Sequence, residues 1–313
     1  MMKYAFIFPG QGSQGIGMGQ EFYDNFEIAK EMIEHASDAL GIDFKKLLFE
    51  ENDNLNQTQF TQPAIFLVSQ IAHSILQQEA PILAELALGH SLGEISALCV
   101  ALGIGFEDGM KLTQKRGELM SAVCQGKDAG MMAVMGLEDS VLEGACKNLQ
   151  NDGKSIWCAN YNGNGQVVLA GKKSDLAQAE SLLKGLGAKK TIILPMSVAS
   201  HCPLLEPMCG EFKHIISPML QSEFALPIIS NATTKPYRTA TQAIDLLTLQ
   251  LTSPVLYKQS ILAIDNLIDV YIELGHNSVL KGLNKRLSDK PTLNISNIAT
   301  LQDTITYIQK ERE

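Results

Sequence analysis

A serine held between two glycines is the first place in this chain where residue type and spacing could do covalent chemistry. Gly89-His90-Ser91-Leu92-Gly93 fits G-x-S-x-G, with the apolar run Leu86-Ala87-Leu88 before it and a helical stretch from Glu94 to Leu102 after it. In that strand–turn–helix setting, flanking glycines relieve crowding at a sharp turn and lift a serine hydroxyl clear at the N-terminus of a helix. Free N–H groups and positive dipole there favour a developing oxyanion. Taken alone, the pattern also fits a serine N-cap after a glycine turn.

A second glycine-rich stretch, Gly10-Gln11-Gly12-Ser13-Gln14-Gly15, satisfies G-x-G-x-x-G directly after the apolar run Tyr4 to Phe8. A dinucleotide-binding loop of that form needs a second strand further on, ending in an acidic residue that holds the ribose. Here residues 20 to 40 are helical in pattern and Pro9 interrupts the junction, so that reading is set aside. The loop is read instead as presenting Gln11 near the elbow. The backbone N–H of Gln11 and that of Leu92 then form an oxyanion hole.

The elements that must position these loops follow from periodicity. Tyr4 to Phe8 and Leu86 to Leu88 read as buried strands. Phe22, Phe26, Ala29, Ile33, Ala36 and Leu40 fall on one helical face. Thr61 reads as an N-cap with Pro63 in the first turn of a helix through Leu76. Phe106 to Val123 is a further helix, with Arg116 inside it.

From about Gly130 the texture changes. Strands are expected at Met131–Met135, Ser155–Ala159, Gln166–Ala170 and Thr191–Leu194, with helices at Ser140–Leu149 and Ser174–Leu186. The order β-α-β-β-α-β is the split pattern of ferredoxin-like domains. Later strands are expected at Pro227–Ser230, Asp269–Glu273 and Leu293–Ile298. The expected class is α/β: a large α/β-hydrolase-like domain with a parallel sheet, made of residues 1–126 and 198–313, and an inserted ferredoxin-like subdomain, residues 127–197.

Composition narrows the function. The 313-residue chain is 45% hydrophobic and carries a net charge of −9, which argues against nucleic acid as the main partner. The first residues are too short an apolar run for a signal peptide, and no apolar run reaches membrane-spanning length. The six cysteines form no CxxC pair and read as reduced thiols, so the expected location is cytoplasmic. His35, His73, His214 and His276 show no metal-ligand spacing, and no metal is expected.

Taken together, Phe8-Pro9-Gly10-Gln11-Gly12-Ser13-Gln14, Gly89-His90-Ser91-Leu92-Gly93-Glu94, Arg116-Gly117-Glu118-Leu119-Met120, Ser200-His201-Cys202 and Gly282-Leu283-Asn284-Lys285-Arg286 resemble the malonyl-CoA:acyl carrier protein transacylases of bacterial fatty-acid synthesis. The motifs stand in family order from residue 8 to residue 286. The resemblance implies Ser91 as nucleophile, His201 as general base and acid, Gln11 and Leu92 as the oxyanion hole, and Arg116 as a clamp on the malonyl carboxylate. It implies that the backbone carbonyl of Gln250 orients His201, so that Gln250→Ala should be nearly silent. Asn160 and Asn162 match a segment beside the substrate cleft and are taken as substrate-binding. Val198-Ala199-Ser200 before the histidine points to malonyl, whereas Gly275-His276-Asn277-Ser278 replaces the more usual Gly-Pro-Gly-type turn.

No cofactor is needed, because the acyl group rests on serine as an ester. The expected partners are malonyl-CoA and acyl carrier protein, with neither nucleic acid nor membrane, and the chain is expected to act as a monomer. An acidic enzyme must meet an acidic carrier and a phosphorylated coenzyme through local basic residues, for which Lys184, Lys189, Lys190, Lys281, Lys285 and Arg286 are candidates. Two other readings share the elbow: a serine hydrolase, which hands the acyl group to water, and a non-catalytic carrier-binding relative. Residue by residue the bland alternatives are a helix-start histidine for His201 and a surface arginine paired with Glu118 or Asp108 for Arg116.

Overall fold

The computed structural model describes residues 2–311; Met1, Arg312 and Glu313, at the ends of the expected large domain, lie outside the described residues. Among the described residues, ten strands are distributed over two sheets: β1 (Tyr4–Phe8), β2 (Ala84–Gly89), β3 (Ala129–Met135), β4 (Ile156–Gly163), β5 (Gln166–Lys172), β6 (Lys190–Ile193), β7 (Glu223–Ile229), β8 (Pro236–Thr239), β9 (Val270–Leu274) and β10 (Thr292–Ile295). The larger sheet runs β10-β9-β1-β2-β7-β8 and is parallel except at its β8 edge. β1 is buried at every position. Because side chains alternate along a strand, Tyr4, Phe6 and Phe8 join the core on one face while Ala5 and Ile7 join the core on the other. A sheet covered on both faces needs such uninterrupted apolar strands.

The smaller sheet runs β4-β5-β3-β6, antiparallel throughout, with its own core around Met132, Val134, Ile156 and Leu169. The helices Asp139–Asn151 and Lys173–Gly185 complete a βαββαβ unit with the ferredoxin-like strand order. It is tied to the large sheet's side of the molecule by main-chain bonds at one point: Tyr161 N–H donates to the Val255 carbonyl at 2.8 Å, and Val255 N–H to the Ala159 carbonyl at 2.8 Å.

Several local expectations shift. The single helical face from Phe22 to Leu40 belongs to two helices, Gln20–Asn25 and Glu27–Leu40, separated by an extended Phe26. The helix expected to start at Thr61 runs Thr58–Glu79 with Gln57 at its N-cap. The Thr61 hydroxyl donates backward to the carbonyls of Leu55 and Gln57, at 2.6 and 3.0 Å, instead of accepting as a cap, and Pro63 lies inside the helix. The last strand stops at Ile295, because Asn297 caps the following helix: its side chain accepts from Thr300 N–H at 2.9 Å, which places Ile298 in that helix. The edge strand β8 is an addition to the expected elements; it is four residues long and opens on Pro236, where a missing N–H costs least.

Among the described residues all six cysteines are free thiols, two of which touch: the Cys158 and Cys146 sulfurs are 3.8 Å apart. No described helix is long and apolar enough to cross a membrane.

Candidate active site

The site is assembled at the carboxyl ends of β1, β2 and β7. The turn after β2 is possible because its glycines have no side chain: a Cβ on Gly89 would fall 1.9 Å from the Gly93 carbonyl carbon, and one on Gly93 would fall 2.1 Å from the Phe8 carbonyl oxygen. Between them Ser91 adopts φ 54°, a left-handed conformation costly for a side-chain-bearing residue. Asn231, just past β7, supports this strain from both sides. Its Oδ1 accepts from the Ser91 N–H at 2.7 Å and its Nδ2 donates to the Gly89 carbonyl at 2.6 Å.

Ser91 Oγ lies 2.7 Å from His201 Nε2. On the other side of the ring, Nδ1–H donates to the Gln250 carbonyl oxygen at 2.8 Å. That bond fixes the tautomer and leaves Nε2 as the acceptor facing the hydroxyl. His201 is also left-handed, with φ 60°. Burial, and then the neighbouring Arg116 cation, hold its imidazole down to about 3, so it is neutral near physiological pH.

Arg116 comes from the helix Phe106–Cys124 and is 1% exposed, so it is no surface arginine. Its guanidinium donates to Gln62 Oε1 at 2.8 Å, to Gln250 Oε1 at 3.0 Å and to Ser91 Oγ at 3.2 Å. These are neutral acceptors; among the described residues no carboxylate forms an ion pair with it. Burial lowers its pKa to about 10, which still leaves a cation. A buried cation satisfied only by neutral oxygens has the chemistry to accept an anionic group.

Gln11 lies on the turn after β1, laid against the elbow: a Cβ on Gly10 would meet the His90 carbonyl oxygen at 2.3 Å, and the Gln11 side chain donates to Thr58 Oγ1 at 3.2 Å. Leu92 opens the next helix with its side chain buried. Asn162 reaches the elbow, its Oδ1 accepting from His90 Nε2 at 2.7 Å, and the His90 ring packs against Tyr257. Asn160 is buried at an irregularity in the β4–β5 register, where β4 forms a parallel bridge with Val255. The loop with the unusual Gly275-His276-Asn277 turn closes on the glycine-rich loop, the Asn277 amide donating to the Ser13 carbonyl at 2.8 Å.

Gln250 does more than the sequence suggested. Besides its carbonyl, its side chain accepts from Arg116 and donates to the Ser91 carbonyl at 3.1 Å and to Glu94 Oε2 at 2.8 Å. Contrary to expectation, Gln250→Ala would therefore not be silent, because it removes these side-chain bonds while leaving the carbonyl. Sequence reasoning also missed Asn231, Gln62 and Glu94. Glu94 carried a signal, a charge in the first turn of an otherwise apolar helix; Asn231 follows a strand end without one.

A cleft of about 800 Å³ is lined by Thr58, Gln59, Lys127, Met196 and Val198. Thr58 is the residue Gln11 touches, and Val198 lies three positions before His201. Among the described residues no group of histidine, cysteine and carboxylate side chains could hold a metal ion.

A strained serine elbow facing a carbonyl-anchored histidine, on a mainly parallel α/β sheet, is the arrangement found in the class of serine-dependent acyl-handling proteins. Residues 5–305 match the family described as acyl transferase domain. The malonyl CoA-acyl carrier protein transacylase of Salmonella typhimurium is 36% identical over 300 residues, covering 95% of this chain and 96% of the relative. The crystal structure of malonyl-CoA:acyl carrier protein transacylase from Helicobacter pylori superposes with a TM-score of 0.96 at 48% identity, covering 99% of each chain. A malonyl-transacylase solved in complex with its type II PKS acyl-carrier protein has a TM-score of 0.94 at 30% identity, covering 97% of this chain and 99% of that one. The chain belongs to the acyl transferase domain family and, within it, to the malonyl CoA-acyl carrier protein transacylases.

Proposed function

We propose that the protein transfers malonyl from coenzyme A to the phosphopantetheine thiol of acyl carrier protein, through an ester on Ser91, and so supplies type II fatty-acid synthesis. The observation that carries the chemistry is the double contact at one oxygen: Ser91 Oγ is 2.7 Å from a neutral His201 Nε2 and 3.2 Å from the buried Arg116 guanidinium.

In the first half-reaction His201 Nε2 takes the Ser91 proton as Oγ attacks the thioester carbonyl. The tetrahedral oxyanion is held by the N–H groups of Gln11 and Leu92. Collapse breaks the C–S bond, and the imidazolium returns its proton to the departing coenzyme A sulfur. In the second half-reaction the carrier thiol gives its proton to His201 and attacks the ester carbonyl, and the proton then passes to Ser91 Oγ. A backbone carbonyl stabilises imidazolium less than a carboxylate would, which suits thioester exchange better than amide cleavage.

Arg116 supplies the choice of acyl group, gripping the malonyl carboxylate through paired N–H bonds that acetyl cannot offer. Burial is the larger cause of the His201 depression and the Arg116 charge the second; a carboxylate seated there offsets the second, so the right substrate strengthens the base. We place Asn160 and Asn162 along the substrate path; the contact of Asn162 with His90 supports this for Asn162. No cofactor enters these steps. Ser91, His201, Arg116 and Gln250 all come from one chain, which supports a monomer as the working unit. We also propose the division into residues 1–126 with 198–313 and residues 127–197, supported by the separate core of the smaller sheet, and a cytoplasmic location, in keeping with the free thiols.

The candidate docking residues are unequal. Lys184 pairs with Glu180 at 2.6 Å, whereas Lys189, Lys190, Lys285 and Arg286 are exposed. The test of the function is an intact mass after mixing protein with malonyl-CoA alone. A malonyl adduct absent from Ser91→Ala and discharged by carrier protein is expected. Free coenzyme A without an adduct would mean a hydrolase, and neither would mean a non-catalytic relative.

A further inference from the structure

Glu94 is 0% exposed, and the catalytic steps above make no use of it. It sits in the first turn of the helix that begins at Gly93, directly behind the elbow. Three donors converge on its carboxylate. Tyr237, on the edge strand β8, donates its hydroxyl to Oε1 at 3.0 Å; the Asn231 backbone N–H and the Gln250 side-chain amide donate to Oε2 at 2.9 and 2.8 Å. Among the described residues no lysine or arginine forms an ion pair with it. A buried carboxylate held by neutral donors is expensive to keep, and burial pushes its pKa up to about 7. Apolar packing would fill the same volume without that cost.

What the carboxylate does is set direction. The Gln250 amide stands between Glu94 and Arg116 and can face only one way. Its nitrogen meets Glu94 Oε2, the Ser91 carbonyl at 3.1 Å and Asn231 Oδ1 at 3.4 Å, while its oxygen meets Arg116 Nη2 at 3.0 Å. Turned over, it would press an NH2 against a guanidinium and an oxygen against a carboxylate. The same Glu94 oxygen anchors the Asn231 backbone, and Asn231 carries the acceptor for the strained Ser91 N–H. The two residues that aim Arg116 and hold the elbow thus share one acceptor.

Resting on the transfer reading above, we infer that Glu94 is a positioning residue that acts as a shared acceptor, fixing the polarity of Gln250 and the seat of Asn231, and through them the aim of Arg116 at the acyl carboxylate. The role needs the acceptor and not the charge. Glu94→Gln can keep it: one amide oxygen takes over the two bonds of Oε2, and the amide nitrogen faces the Tyr237 oxygen. Glu94→Met fills the volume and offers no acceptor.

The experiment measures single-turnover loading of Ser91 from malonyl-CoA and from acetyl-CoA, by intact mass, with thermal melting as the check on folding. For Glu94→Met, malonyl loading is expected to fall about tenfold more than acetyl loading, since a misaimed guanidinium is lost to malonyl alone. Glu94→Gln should keep the wild-type ratio to within about threefold. If Glu94→Met does not fold, Glu94→Asp decides instead, because it keeps the charge and draws the acceptor back from Gln250; the same loss of ratio is expected. Equal slowing of both acyl groups by Met or Asp, as a merely structural role would give, overturns the inference, as does a Gln variant that shifts the ratio as far as Met. A wild-type protein that forms no malonyl adduct would instead remove the transfer reading itself, and this one with it.

Discussion

Gln250 holds His201 with its main chain and Arg116 with its side chain. The carbonyl oxygen accepts from His201 Nδ1 at 2.8 Å and Oε1 accepts from Arg116 Nη2 at 3.0 Å. One residue of the helix Ala240–Thr252 therefore sets the position of both the base and the cation relative to Ser91. Base strength and acyl selection are linked through it, and the two contributions can be separated by substitution.

Gln250→Ala leaves the backbone carbonyl in place and removes the acceptor for Arg116. Malonyl loading should fall on the order of tenfold while acetyl loading changes little, because the histidine keeps its anchor. Single-turnover loading with the two thioesters measures this. Equal loss for both would place the damage at His201.

Arg116→Ala removes the seat for the distal carboxylate. Malonyl loading should drop about a hundredfold or more, with a relative gain in tolerance for acetyl, since a desolvated charge pair broken on one side costs several kcal/mol. An unchanged malonyl-to-acetyl ratio would refute the clamp.

The pH dependence carries the sign of the His201 shift. Its pKa lies well below the ordinary imidazole value of 6.5, so the free base persists as pH falls through that value. Malonyl loading should stay level from about pH 8 to about pH 5 and decline only below that. Arg116→Ala, by removing the second cause of the depression, should move the decline to higher pH. A wild-type rate that halves near the ordinary value would contradict the arrangement.

Asn231→Ala withdraws the acceptor from the Ser91 N–H and the donor from the Gly89 carbonyl. The elbow would relax from its left-handed conformation, slowing malonyl and acetyl loading alike by about tenfold or more and lowering the melting temperature. The matched loss for both acyl groups distinguishes this variant from Arg116→Ala. Wild-type loading of both would mean that the backbone holds the elbow unaided.

The sequence by itself determined the parts that are local. Alternating and continuous apolar runs marked β1 and β2, glycines marked the turns that only glycine can make, and the serine stood in the one strand–turn–helix setting that exposes it. The βαββαβ order of the smaller sheet was legible for the same reason, because each element carries its own periodicity. Where local signals competed, the reading slipped, as at Thr61, whose hydroxyl can donate backward as readily as it can cap. Tertiary structure decided what stands behind the serine. Asn231, Gln62 and Tyr237 lie apart from Ser91 and Glu94 in sequence, in segments with no distinguishing pattern, and for Gln250 the resemblance marked only the backbone carbonyl and not the side chain. They meet because Asn231 just past the end of β7, Gln62 and Gln250 on two helices, and Tyr237 on the antiparallel strand β8 are packed around the same elbow. Glu94 looked like an ordinary charge in the first turn of a helix until the fold buried it, and a buried carboxylate must be given donors from whichever segments pass nearby. Hydrogen-bond polarity of that kind belongs to the packed molecule, since no single segment contains both its donors and its acceptor.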